Sequence, residues 1–314
     1  MQGLKVGVHI LAGQAKGLVE GIVAAEAAGI EVAWMTSGGV AADPLAVFSA
    51  AALKTERILF GTCILPTFPR HPLAMVQGAM TVDSLAPGRL RLGIGPSHKP
   101  SIEGMYGIPF ERPLEHLREY LAILRAILGE GSVQFTGKRL TANARIAGPT
   151  GVTLMASALR PNGFRVCGEL ADGAISWVCP LPYLKEVAVP AIAEGAAKAG
   201  REAPPLIAHV PVVVSQDRDA VYDAARKQIG LYPRVPFYSQ MFQDAGFPEA
   251  KDGELSDRMI DALVVWGGES EVLARLREVP SFGVGELLAM PILASGDREA
   301  LPRTLAALGK LAAE

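Results

Sequence analysis

Eight short apolar runs, each followed by a segment with helical spacing, constrain this chain more than any other feature of its sequence. The runs cover residues 5–10, 31–35, 58–64, 90–94, 152–156, 173–178, 206–214 and 285–292. They are nearly continuous in apolar residues and lack polar alternation, which is what parallel strands buried on both faces require. Helix-spaced stretches separate them, at 17–28, 45–53, 73–85, 112–128, 161–170, 183–199, 217–229, 270–279 and 297–312. Asp43 and Pro44 read as a cap and first-turn pair for the second of these. An open doubly wound sheet usually has fewer strands and starts with a glycine-rich phosphate turn. The first junction here, Leu11 to Lys16, carries no such fingerprint. The expected fold is therefore α/β, a closed (β/α)8 TIM barrel. Residues 129–150, with Gly131, Gly137, Gly148 and Pro149, read as a hairpin, and insertions are expected near 96–111 and 231–262. No linker breaks the alternation, so residues 1–314 read as one domain.

Composition removes several classes of function. With 30 basic and 32 acidic side chains, a net charge of -2 and no basic run, nucleic acid is not an expected partner. Cys63, Cys167 and Cys179 form no Cys-x-x-Cys pair, and the five histidines are not spaced as metal ligands, so neither disulfides nor a metal are expected. No signal pattern and no run of about 18 apolar residues is present, which predicts a cytoplasmic protein without a membrane span. A Gly-x-Ser-x-Gly elbow, a His-Glu-x-x-His pair and a Walker loop are all missing.

In a barrel of this kind chemistry sits at the carboxyl ends of the strands. His9 ends the first strand and reads equally as a satisfied core histidine or a pocket group. Trp34 and Met35 end the second and are plain core candidates, followed by Thr36, Ser37, Gly38 and Gly39. Cys63 ends the third, with no basic neighbour to activate it, so packing is its simplest role. The fourth runs into Gly93, Gly95, Ser97 and His98, whose glycines allow close approach of a ligand. After the fifth, Ala158, Leu159 and Arg160 enter a helix whose first amides suit a phosphate; an ordinary capped helix start is the plainer alternative. Trp177 follows the sixth.

Residues 92–98 and 103–120, together with 61–72, 168–173 and 262–289, resemble the bacterial-luciferase-like superfamily, in particular its coenzyme F420-dependent oxidoreductases. The resemblance spans most of the chain. It implies a (β/α)8 barrel, a non-prolyl cis peptide at Cys63-Ile64 behind a flavin or deazaflavin ring, and a coenzyme phosphate near Ala158, Leu159 and Arg160, with Trp177 nearby. Gly95 would approach the coenzyme, with Ser97 and His98 at its ring or at the substrate edge, and residues 102–110 would form a lid. The implied activity is hydride transfer between the C5 of F420 and a small organic substrate, by a homodimer. Relatives that oxidise sugars or alcohols often carry an acid and a histidine after the second strand, where this chain has Thr36 to Gly39; Arg160 stands where glycine is common. The expectation is accordingly reduction of an activated double bond or imine, with His98 or His9 as proton donor. An FMN-dependent monooxygenase and a non-catalytic ligand-binding barrel are the alternatives.

Overall fold

The computed structural model describes residues 4–11, 13–294 and 296–314; Ala12 of the first junction lies outside the described residues. Eight parallel strands close into a ring: β1 (Lys5–His9), β2 (Val32–Met35), β3 (Leu59–Thr62), β4 (Leu90–Gly95), β5 (Thr153–Ser157), β6 (Gly173–Ile175), β7 (Leu206–Val214) and β8 (Glu286–Pro291). Closure is made by β8 on β1, with Lys5 opposite Glu286, and by β6 on β7, with Leu206 opposite Ala174. Helices cover the outside, so strands such as β7 are buried along their whole length. Asp43 caps the helix Pro44–Ala52 by accepting from the Leu45 and Ala46 amides, as its position before Pro44 predicts.

Several boundaries differ from the sequence reading, each for a local reason. Residues 58–64 do not form one strand: pairing with β4 stops after Gly61 opposite Arg91 and resumes at Leu65 opposite Ile94, around a bulge. Trp266 lies in a further parallel strand, Val265–Gly267, paired outside the ring with the upper part of β7. The helix expected over 183–199 passes through a π-helical turn, Leu184–Ala188, before Val189–Lys198. The last helix starts at Ala300, because Asp297 turns back to accept from the Glu299 amide. The hairpin is present as Ser132–Thr136 paired with Thr141–Arg145. Near 96–111 stands the helix Lys99–Tyr106, and across 231–262 stand Tyr232–Arg234, Pro236–Asp244, Pro248–Asp252 and Asp257–Leu263.

The barrel interior explains two glycines. Trp34 is fully buried, and a Cβ on Gly7 of β1 or Gly61 of β3 would lie 2.5 or 2.2 Å from its indole. The ring therefore fills space that its two neighbouring strands leave by having no side chain. Beneath it Arg91 and Glu286 form a buried ion pair, with the guanidinium 5.2 Å from the Trp34 ring. Burial pushes the Glu286 carboxyl above its ordinary value, and Arg91 opposes that push. Gly61→Ala should cost about 1–3 kcal/mol of stability, since the indole has nowhere to retreat. Urea unfolding of the variant and wild type measures this, and equal midpoints would show that the floor is loosely packed.

Candidate functional site

The bulge after β3 is held by one hydroxyl. Thr62 Oγ1 donates to the Gly93 carbonyl at 2.7 Å and accepts from the Gly93 amide at 2.8 Å, replacing the ladder bonds that the bulge removes. A Cβ on Gly93 would stand 1.9 Å from the Thr62 carbonyl, so only glycine fits there. The Cys63-Ile64 peptide within the bulge is cis. Ile64 reaches the wall of the barrel mouth, and Gly95 lies directly behind it: a Cβ there would be 3.1 Å from Ile64 and 2.3 Å from Ser157 Oγ.

Register around the ring sets the levels of the inward side chains, because every second strand is staggered by two positions. His9 of β1, Cys63 beyond β3, Ser157 of β5 and His209 of β7 fall on one level. Thr36, Gly95, Trp177 and Met290 form the level above. Over them opens a cavity of about 980 Å³ at the carboxyl ends of the strands. That is near the upper end of the ~300–1,000 Å³ typical of small-molecule sites.

His9, His98, Cys63, Ile64 and Ser97 all line this cavity, as do Ala158, Leu159, Arg160 and Trp177; Gly95 supports its wall from behind. The segment 102–110 contributes Met105, Tyr106 and Phe110, with Ile102 buried beneath and the Tyr106 hydroxyl donating to the Gly39 carbonyl at 3.4 Å. Sequence reasoning passed over Ser157, Tyr232, Tyr238 and His209. Inward parity in a wholly apolar strand is the signal that marks His209; nothing in the irregular stretch 231–262 marks the two tyrosines.

The floor is aromatic and uncharged. Trp177 stacks on His209 at 3.7 Å and meets His9 edge-on at 5.8 Å. Its indole N–H donates to the Tyr232 hydroxyl, and Tyr238 sits beside both Tyr232 and His98. Burial lowers the His9 pKa to about 4 and pulls His209 well below the ordinary histidine value, with His9 adding repulsion. Both imidazoles are neutral at neutral pH. His98 is also lowered by burial, while the Cys63 thiol is pushed up, so the thiol carries no charge. No Asp or Glu lines the cavity among the described residues, and the cations Arg160 and Arg165 stand at one end. There the helix Pro161–Leu170 begins, with Asn162 and Gly163 in its first turn facing the cavity. Arg160 pairs with Asp244 at 3.3 Å and Tyr183 donates to the Leu159 carbonyl at 2.9 Å, which fixes this entrance. Among the described residues no group of three or more His, Cys, Asp or Glu could hold a metal ion, and no helix is long and apolar enough to cross a membrane.

A model of the luciferase-like monooxygenase family matches residues 4–286 of the chain. A 5,10-methylenetetrahydromethanopterin reductase of Archaeoglobus fulgidus is 28% identical over 289 residues, covering 84% of this chain and 86% of that protein. An F420-dependent glucose-6-phosphate dehydrogenase of Beutenbergia cavernae is 34% identical over 197 residues, 59% of this chain and 57% of its own length. The solved structure of the coenzyme F420 dependent tetrahydromethanopterin reductase of Methanopyrus kandleri has the same fold, with a TM-score of 0.79 at 22% identity over 98% of both chains.

The low His9 pKa has a consequence for stability. Below pH 6.5 the unfolded chain takes up a proton that folded His9 refuses until about pH 4, so stability falls as pH drops through that window. The full effect is roughly 3 kcal/mol. In His9→Gln this part of the acid sensitivity is absent, and the stability difference from wild type should narrow steadily from pH 6.5 to 4. Denaturant titrations at several pH values check it; a constant difference would show that folded His9 takes up its proton over the same pH range as the unfolded chain.

Proposed function

The chain belongs to the luciferase-like monooxygenase family, and we propose that this oxidoreductase binds coenzyme F420 and moves a hydride from the deazaflavin C5 to an activated double bond or imine of a small organic substrate. The observation that carries the reading is the single cavity surface joining the Cys63-Ile64 bulge, the Trp177 wall and the Pro161–Leu170 helix start. A flat ring matches the first two, and a phosphate matches the third, where first-turn amides and Arg160 stand with no carboxylate among the lining residues; Asp244, which pairs with Arg160, lies outside the lining. The relative named as an F420-dependent dehydrogenase supports the coenzyme, and the relative named as a methylenetetrahydromethanopterin reductase supports the reductive direction.

When bound, the deazaflavin supplies the hydride chemistry, and the protein supplies position and electrostatics. Ile64, braced by Gly95, holds one side of the ring site, and Trp177 the other wall. Ala158, Leu159 and Arg160, with Asn162 and Gly163, hold the phosphate. Ser97, at a φ of +63°, turns the chain so that His98 faces the cavity. His98 is half-exposed and uses no side-chain capping bond, so it can exchange protons with solvent and deliver one to the substrate. His9, neutral and buried, serves as a hydrogen-bonding group beneath. The family description favours one other reading, an FMN-dependent monooxygenase fed with reduced flavin.

Fluorescence titration of the purified protein separates the two. The expected result is F420 binding with a Kd below about 100 μM and FMN at least about tenfold weaker. No F420 binding, or preference for FMN with oxygen-dependent product formation, overturns the proposal. With a turned-over substrate in hand, the wild-type rate should fall as pH rises through a pKa below 6.5, because the protonated form of His98 is needed. His98→Gln should lose roughly 10²-fold or more in kcat and lack that limb.

A further inference from the structure

The floor of the cavity contains a directional chain of hydrogen-bonding groups. Val178 is a buried β-branched residue with a φ of +50°, and this turn aims its amide at His209 Nδ1, 3.2 Å away. Because Nδ1 accepts, the His209 proton is on Nε2, which is buried and has no protein partner. On the same barrel level, across the flanking Trp177, His9 has the mirror situation. Its Nε2 is 3.2 Å from Thr36 Oγ1, while its Nδ1 is buried and has no protein partner.

We propose that one bound water joins His209 Nε2 to His9 Nδ1, that the chain orients the Thr36 hydroxyl as a hydrogen-bond donor into the cavity, and that the substrate group it meets is an unsaturated acceptor, a carbonyl oxygen or imine nitrogen. The inference rests on the reductase reading above. A buried donor and a buried nitrogen of open tautomer, each unpaired, are satisfied together by one water between them. Donation then runs one way: Val178 to His209, His209 to water, water to His9 Nδ1, and His9 Nε2–H to Thr36 Oγ1. The opposite His9 tautomer would turn two donors on the water and leave both of its hydrogens without an acceptor. Having accepted from His9, Thr36 keeps its own hydrogen free, and it is half-exposed on the cavity wall one level above. A site built this way favours a substrate that accepts a bond over an alcohol that must surrender a proton. Hydride addition to the carbon of C=O or C=N moves the π pair onto the heteroatom; Thr36 stabilises that charge until His98 delivers the proton, and the oxidised deazaflavin is the other product. Thr36 is thereby the substrate-contacting residue, and His9 and His209 are positioning residues.

The test has two arms. Long-range ¹H–¹⁵N spectra of histidine-labelled protein at pH 7, assigned with His9→Gln and His209→Gln, should show both residues as the Nε2–H tautomer; His9 as Nδ1–H overturns the chain. In the second arm cyclohex-2-en-1-one and the neutral imine 3,4-dihydroisoquinoline are offered with reduced F420. Thr36→Val should lower kcat about tenfold with coenzyme affinity unchanged, and Thr36→Ser should restore most of it, a change of the size of one hydrogen bond. Unchanged kcat in Thr36→Val, or no turnover of either probe by a wild type that binds F420, overturns the assignment. Failure of F420 to bind removes the reductase reading instead, and the tautomer result stands apart from it.

Discussion

The constraint on which the site depends is that a parallel barrel strand cannot be interrupted without new partners for its backbone groups. Here the interruption falls between β3 and β4, and the Thr62 hydroxyl alone serves both polar groups of Gly93. That economy permits the chain to bulge at Cys63 and Ile64 while both strands continue above it. The bulge in turn demands glycine at 93 and 95, because Thr62, Ile64 and Ser157 occupy the space a side chain would need. A short feature of the ladder thus determines the shape of the cavity wall above.

Beneath the cavity the barrel is closed by packing and not by charge alone. The Trp34 indole is seated over the Arg91–Glu286 pair and between two strands that carry glycine beside it. Above that plug, neutral histidines and Trp177 make a floor on which a flat conjugated ring can lie without meeting a charge. Positive charge is kept to the rim at Arg160 and Arg165, where the phosphate of a coenzyme would be held. The separation of an uncharged floor from a cationic rim is what makes the cavity suited to a ring that bears a phosphate tail.

Much of this was legible in the residues. Eight apolar runs at barrel spacing are visible because burial on both faces leaves no polar alternation, and the strand ends then locate the mouth. The run from Gly93 to His98 and the helix entry at Ala158 to Arg160 follow from glycine and helix-terminus chemistry. The bulge is different: Ile58 to Ile64 carries Thr62 as its one polar side chain, and a lone threonine in an otherwise apolar run does not show where pairing stops, so only the family resemblance pointed to Cys63-Ile64. His209 was passed over because a lone histidine inside an apolar strand reads as core until register brings it beside His9. Tyr232 and Tyr238 come from a segment without periodicity, and their place beside Trp177 depends on long-range packing that local spacing does not encode.

A crystal structure of the protein soaked with F420 tests the central claim most directly. The account predicts the deazaflavin ring within van der Waals distance, about 4 Å, of Ile64, with its phosphate on the amides of Asn162 and Gly163 beside Arg160. Density for the ring away from the Cys63-Ile64 bulge, or a phosphate bound elsewhere, would contradict it.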